Sequence, residues 1–314
     1  MSLSEAQFDT IVAAPPPGGA GDTASAQPPS GLWRDAWGRL RRNRSAIAGA
    51  AIVGFFVSLA LLAPLLAPER PSSATFLERL GGRCCPGPSS SHWFGIDELG
   101  RDELSRIIYG ARTSLLIAVV SVSVGLTIGL LLGAVAGYRG GAADTVVMRG
   151  VDILLAFPSF LFAIGLVALL GPGLVQIMIA IGVVNVPVFA RLLRGSMLGV
   201  RESDYVLAAR SVGVPARRIL LVHMLPNAVS PVIVAATLAM ATAIIEAAGL
   251  GFLGLGNPDP SVPEWGTMLA NTPRFLQSAP HLAILPGIAI VLSVLGFNLV
   301  GDGLREAIDP KLRT

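Results

Sequence analysis

The chain has 314 residues, of which 53% are hydrophobic and 14% charged, with a mean hydropathy of +0.68. Soluble domains carry about a quarter charged residues, so this composition excludes an ordinary soluble enzyme and predicts a membrane protein whose core is helix against helix and helix against lipid. The formal charge of +3 comes from arginines spread over the loops, with Lys311 the only lysine, a pattern of membrane-orientation signals rather than of a nucleic-acid-binding surface.

Residues 1–30 are rich in Pro, Gly, Ala and Ser and read as a disordered cytoplasmic tail. They lack the apolar core of a cleavable signal. Residues 31–44, GLWRDAWGRLRRNR, combine two tryptophans with a run of arginines. This reads as a basic amphipathic segment on an anionic membrane face, or as a positive-inside anchor; either places it in the cytoplasm. A span needs about 20 apolar residues. The sequence predicts six, at 45–67, 113–137, 151–170, 174–193, 228–253 and 281–301. An even number puts both termini on one side. The arginines concentrate around 31–44, 139–149, 191–218 and 305–313, which makes that side the cytoplasm.

The loop 68–112, after the first span, is the longest external one. Its Cys84 and Cys85 are adjacent, which leaves open a vicinal disulfide, two free thiols or a link to a partner. The following stretch, HWFGIDELGRDELSRIIYGARTSL at 92–115, holds Asp97, Glu98, Asp102 and Glu103. Their spacing fits no calcium loop, and Arg101 and Arg106 can pair with them. An amphipathic helix lying on the outer interface is predicted there, with no metal.

The second span carries Gly125, Gly129, Gly133 and Gly137, four glycines at intervals of four. They line one face and let a helix approach closely, either within the chain or across an interface with a second subunit. Tyr138-Arg139-Gly140-Gly141 predicts a tight cytoplasmic turn. Pro158, Pro187, Pro231 and Pro286 fall in later spans, where each can kink its helix. Asp152 can reach the cytoplasmic interface, while Asn185 and Asn298 are suited to hydrogen bonds between helices. Glu246 is the one carboxylate well inside an apolar run, about 27 Å along the helix from Ala228. It lies toward the outer leaflet and needs a partner or a water-filled cavity. Snorkelling, pairing with a partner subunit and meeting a substrate ammonium in a translocation pathway are all open; Glu246 and Asn185 are the candidate pathway residues. The glycine run Gly249–Gly256 and Pro258-x-Pro260 then break the helix.

Residues 203–227, SDYVLAARSVGVPARRILLVHMLPN, are a polar interlude between two apolar runs. Ser203 and Asp204 suit a helix start and Gly213 a left-handed stop. Pro215 suits the first turn of a second helix, and Pro226 its end. The prediction is a helix–turn–helix on the cytoplasmic face, of a kind suited to docking a soluble partner. No Gly-Lys-Ser/Thr occurs, so the chain has no P-loop; no Gly-x-Ser-x-Gly elbow occurs; and His92, His223 and His281 lie on different loops, away from any metal-ligand spacing. The chain reads as a conduit, not a catalyst.

The spacing Ala208-Ala209, Gly213, Leu225-Pro226 resembles the cytoplasmic coupling motif of ABC importer permeases, in which Leu207 stands where the motif has Glu. The ending His223-Met-Leu-Pro-Asn227 is similar to the dipeptide/oligopeptide/nickel branch. So are Phe94-Gly95-x-Asp97-x-x-Gly100-Arg101-Asp102 with Tyr109-Gly110-Ala111-Arg112, and Phe252-Leu-Gly-Leu-Gly256 with Trp265-Gly266 and Phe297-Asn298-Leu-x-Gly301-Asp302-Gly303. The resemblance spans roughly 31–314, outside the insert near 70–90. It implies the C-type permease of the peptide importers: an all-α polytopic protein of the type I importer fold, with six transmembrane helices, a five-span core over 113–314 and a cytoplasmic coupling helix. It also implies a bacterial cytoplasmic-membrane location, a second homologous permease, two P-loop ATPase subunits that hold the ATP and Mg, and an extracytoplasmic substrate-binding protein. This chain would hold no cofactor. Its ATPase-coupling residues would be Ala208, Ala209, Gly213, Arg217, Leu225 and Pro226, its substrate a di- or oligopeptide or a nickel complex. A stand-alone secondary transporter or channel, and a membrane anchor for a peripheral enzyme, are the rival classes.

Overall fold

The computed structural model describes residues 37–73 and 84–308. The tail 1–30, most of the basic segment's first half, the middle of the 70–90 insert and the terminal residues 309–314 lie outside the described residues. Those described are mostly helical, and among them no strand forms beyond an isolated bridge between Ile96 and Asp102.

Helix α1 is Arg44–Leu61, capped by the Asn43 side chain, which accepts from the Ala46 N–H. The expected span to residue 67 is interrupted: Pro64 sits in the first turn of a separate short helix, α2, Ala63–Leu66. The next helix, α3, runs unbroken over Glu103–Arg139, 37 residues. At 1.5 Å per residue it is about 55 Å long, well beyond the hydrocarbon core. This corrects the expectation of an interfacial helix over 92–115. The chain at 92–102 is turns, and the helix starts at Asp102, whose carboxylate accepts from the Ser105 N–H at 2.8 Å. Asp97, Arg101, Asp102, Glu103 and Arg106 are buried rather than spread on a surface, and Arg112 is exposed.

Gly140 and Gly141, at φ +65° and +55°, turn the chain from α3 into α4, Gly141–Leu155. The expected span 151–170 is two helices. Helix α4 stops before Phe157-Pro158, and α5, Ser159–Leu170, leaves at 89° to it. Proline removes a ladder N–H and disfavours helical geometry in the residue before it, which accounts for the break. Helix α6, Leu174–Arg201, carries Pro187 inside it and continues past the expected end at 193. The remaining membrane helices are α10, Ser230–Leu250, and α12, His281–Ile308. Pro231 falls in the first turn of α10, where its missing N–H has no helical acceptor to lose, so it starts that helix rather than kinking it. By length and composition, five helices among the described residues are able to cross a membrane, or six if α4 and α5 together form one bent span.

The core is the α3–α6 pair. An added Cβ at Gly125 would meet Gly182 O at 2.7 Å, at Gly129 Phe189 Cβ at 2.6 Å, at Gly133 Ala190 O at 2.6 Å, and at Gly137 Met197 Cβ at 2.9 Å. All four glycines therefore face α6 of the same chain. Ile117, Ala118, Ile177, Ile181, Phe189, Leu193 and Met197 are fully buried around this seam. A second seam joins α1 to α12, where Gly49 lies against Leu299, Gly296 against Ile52 and Gly303 against Ala46. Asn43 Nδ2 donates to Glu306 across one end of it. Leu65, Leu131 and Leu169 point outward, as residues facing lipid do.

Candidate functional site

Helix α7, Asp204–Ser211, follows α6 after a two-residue turn. Ser203 stands at the cap position, but its hydroxyl donates back to Val200 O rather than capping α7. The stop is built as expected. Gly213 has φ +76°, its N–H donates to Arg210 O, and Val214 N–H donates to Ala209 O. These are the two bonds of a Schellman motif, which needs a left-handed residue at that point. Helix α8, Ala216–Arg218, then widens into a π-turn, Ile219–Met224, and tightens into α9, Leu225–Ala228. Pro226 does not end the hairpin's second helix. It sits in the first turn of α9, where its missing N–H costs least, and the π-turn before it absorbs the change.

The hairpin has two faces. Val206, Ile219, Met224 and Ala228 are buried in the bundle's main core, with Ala209 and Leu225 packed against it. Ala208, Gly213, Arg217 and Pro226 are exposed. Beside them Tyr205, Leu207 and Val212 also face outward, Val212 at 78% exposure. The six candidate coupling residues thus divide: Ala209 and Leu225 fasten the hairpin to the bundle, and the other four lie on its free surface with two further arginines, Arg210 and Arg218. An added Cβ at Gly213 meets nothing within 4 Å, so what this glycine supplies within the chain is its backbone conformation. Nearby, Arg194 grips Asp144 with two hydrogen bonds of 2.7 and 2.6 Å, fixing the C-terminal part of α6 to α4. Asp152 pairs with Arg191 in the same region at 2.6 Å.

Glu246 and Asn185, far apart in sequence, line one cavity of about 390 Å³. Its walls come from the α4–α5 bend (Leu155, Phe157, Phe162), from α6 (Val184, Pro187) and from α10 (Ala239, Thr242). The bend at Pro158 turns α5 away and leaves this space open. Asn185 Nδ2 donates to Ile181 O on its own helix, so it makes no hydrogen bond to another helix among the described residues. Glu246 Oε2 is buried with no hydrogen-bond partner. Thr242 was not singled out from sequence, yet it lies one turn from Glu246 on the same face, and that spacing was its available signal.

A third assembly gathers the loop before α3 and the loop after α10. Asp97 is buried and accepts from the Leu99 and Arg101 N–H groups, at 3.0 and 2.8 Å. Its other oxygen takes the Arg101 guanidinium at 2.6 Å and Arg106 Nε at 3.3 Å. Both arginines also donate to Pro260 O, tying the loop before α3 to the loop after α10. Gly95 and Gly100, at φ +82° and +77°, make the turns that bring Asp97 into place. On the second loop, Glu264 caps helix α11, Trp265–Ala270, accepting from Gly266 N–H and Thr267 N–H. Burial pushes its carboxyl above the usual range, against the downward pull of those two donors. Trp265 is fully buried; its indole N–H donates to Ile107 O at 3.1 Å and its ring meets Phe56 edge-on. Cys84 and Cys85 form a vicinal disulfide, with Cys85 packed on Ala279 and Leu282. Removing one partner of a buried ion pair leaves its counter-charges stranded, at about 3–5 kcal/mol. Asp97→Asn, which keeps the acceptor for the two backbone N–H groups, is therefore expected to lower the thermal midpoint of the detergent-solubilised protein by about 10 °C. A shift under about 2 °C would show that the pair contributes little.

A bundle of glycine-seamed apolar helices, with an open cavity between α5, α6 and α10 and a helical hairpin packed on one end, is the architecture of a polytopic membrane protein. The chain belongs to the family described as binding-protein-dependent transport system inner membrane component, whose model matches residues 129–314. Residues 31–79 match the N-terminal TM domain of oligopeptide transport permease C. The chain is 48% identical over 282 residues to the dipeptide transport system permease protein of Alkalihalophilus pseudofirmus, covering 90% of this chain and 91% of that one. It is 45% identical to the di/tripeptide transport system permease protein of Pseudomonas aeruginosa, covering 89% and 92%. Against the glutathione transport system permease protein of Pectobacterium atrosepticum it is 44% identical, covering 90% and 92%. The fold is shared with the inward-facing MetNI methionine ABC transporter, at TM-score 0.53 and 20% identity over 65% of this chain and 96% of that one. The protein is an integral inner-membrane permease subunit of an ABC importer, and the secondary-transporter and anchor readings are set aside.

Proposed function

We propose that this chain is one half of the translocation pathway of an ATP-driven importer of di- or oligopeptides. What carries the substrate class is its likeness, over some nine-tenths of its length, to permeases named for dipeptide and di/tripeptide transport. The other half is a second, homologous permease. Two P-loop ATPases bind ATP and Mg below them, and an extracytoplasmic binding protein delivers the peptide. Both termini and the hairpin 203–227 face the cytoplasm, as the arginine distribution supports. Residues 1–44 lead into the first span, the loop 68–112 is external, and 113–314 forms the five-span core.

In this reading the exposed side of the hairpin, with Ala208, Gly213, Arg217 and Pro226, seats in a groove of an ATPase subunit. Small side chains permit close approach, and the arginines favour an acidic rim. ATP closes the ATPase pair and carries the hairpin with it. Ala209 and Leu225 pass that displacement to the bundle, which rocks as a body between its two openings. The chain itself catalyses nothing. Tagging it, extracting it gently from its native membrane and identifying what copurifies tests the assembly. A second permease with P-loop ATPases is the expected result. A chain that emerges alone, or only with copies of itself, in several mild detergents contradicts it.

A further inference from the structure

Four polar side chains line the cavity: Ser159, Asn185, Thr242 and Glu246. Thr242 donates its hydroxyl hydrogen to Ala239 O at 3.0 Å, and Asn185 donates from Nδ2 to Ile181 O at 2.8 Å. The Thr242 hydroxyl hydrogen and one Asn185 N–H are thus turned onto their own helices, which leaves the Thr242 lone pairs and Asn185 Oδ1 as acceptors, beside the second Asn185 N–H. Between helices α6 and α10 stands the Glu246 carboxylate, one oxygen of which is buried with no hydrogen-bond partner. Ser159 adds a hydroxyl at the start of α5, the rest of the lining is apolar, and no arginine, lysine or histidine contributes to it. A carboxylate in such surroundings calls for a cation that can donate several hydrogen bonds. The space, about 390 Å³, lies within the range of sites for small ligands.

We propose that Glu246, with Asn185 and Thr242, binds the α-ammonium of the peptide on its way through the membrane and so selects for a free N-terminus. A primary ammonium offers three N–H donors arranged around one charge, which matches one carboxylate and two neutral acceptors. The apolar walls, among them Phe157 and Val184, then accept side chains without reading them. The site discriminates on a group that free peptides of different sequence share. This rests on the peptide reading above and goes beyond it, because it assigns recognition to the permease as well as to the binding protein.

The test uses the complete complex in proteoliposomes, with its binding protein saturated by dialanine and ATP supplied on the ATPase side. Glu246→Gln keeps the shape and removes the charge; Glu246→Asp keeps the charge. Loss of a charge-assisted hydrogen bond is expected to reduce dialanine uptake per ATP hydrolysed about tenfold in the Gln variant. The Asp variant retains most of it, and both copurify with the second permease as wild type does. Unchanged coupled uptake by the Gln variant overturns the role of Glu246. Loss of the second permease from the Gln variant also overturns it, by showing that the carboxylate pairs with a partner chain. A wild-type complex that takes up no peptide overturns the substrate class as well, so the two failures are separable.

Discussion

A Gly213→Val permease is expected to assemble and reach the membrane but to hydrolyse ATP without moving peptide. Gly213 holds φ +76° at the stop of α7, where the Schellman bonds to Arg210 and Ala209 set the direction of everything up to Ala228. A β-branched residue in the left-handed region costs about 1–3 kcal/mol, which the chain relieves by re-aiming the turn. Nothing in the chain occupies the space beside Gly213. The fold therefore survives, while the hairpin's outward face points elsewhere. Asparagine tolerates the left-handed region, so Gly213→Asn is expected to keep most of the coupling. Uptake and ATPase rates measured together in reconstituted complexes separate the cases. Normal coupled uptake by the valine variant, at normal membrane levels, would remove Gly213 from the coupling device.

The second large effect is structural. Gly129→Leu is expected to prevent accumulation of the folded permease. Its Cβ would lie 2.6 Å from Phe189 Cβ, 2.9 Å from Val186 O and 3.1 Å from Ala190 N, and two of those three atoms are α6 backbone. Helices α3 and α6 would have to separate along the main seam of the bundle. Overpacking of this kind costs at least about 1–3 kcal/mol, and more where backbone cannot yield. Gly165→Ala is the matched control, since an added Cβ there meets nothing within 4 Å. Gel filtration of tagged protein after graded heating reads both. A Gly129→Leu protein as heat-resistant as the control would show that the seam is looser than its geometry implies.

What was legible in the sequence is what a local pattern encodes. Apolar runs of span length set the long helices, and glycines every fourth residue marked a close helix approach; the structure supplies α6 of the same chain as the neighbour. Gly213 showed where α7 would stop, because few other residues fit a left-handed turn. Proline was less informative. The same residue breaks a span at Pro158, sits inside helices at Pro187 and Pro286, and begins one at Pro231. Which of these happens depends on what the neighbouring turns can absorb.

The loop assembly around Asp97 was hardest to foresee. Acids and arginines interleaved over 97–106 look like a solvated helix face. They are buried instead because Pro260, more than a hundred and fifty residues away, brings a carbonyl that both Arg101 and Arg106 need. Pairing of the arginines with acids was predictable from spacing, but burial was not. The cavity is similar: Asn185 and Glu246 could be suspected singly, but only the bend at Phe157-Pro158 makes the space that they share.

The central claim is that this chain conducts substrate under ATP control through partner subunits. Uptake of a radiolabelled dipeptide into proteoliposomes holding the whole complex tests it most directly, with ATP and the binding protein each supplied or withheld. Accumulation against a gradient that requires both is the predicted result. Accumulation without ATP, driven by a proton or sodium gradient, would contradict it.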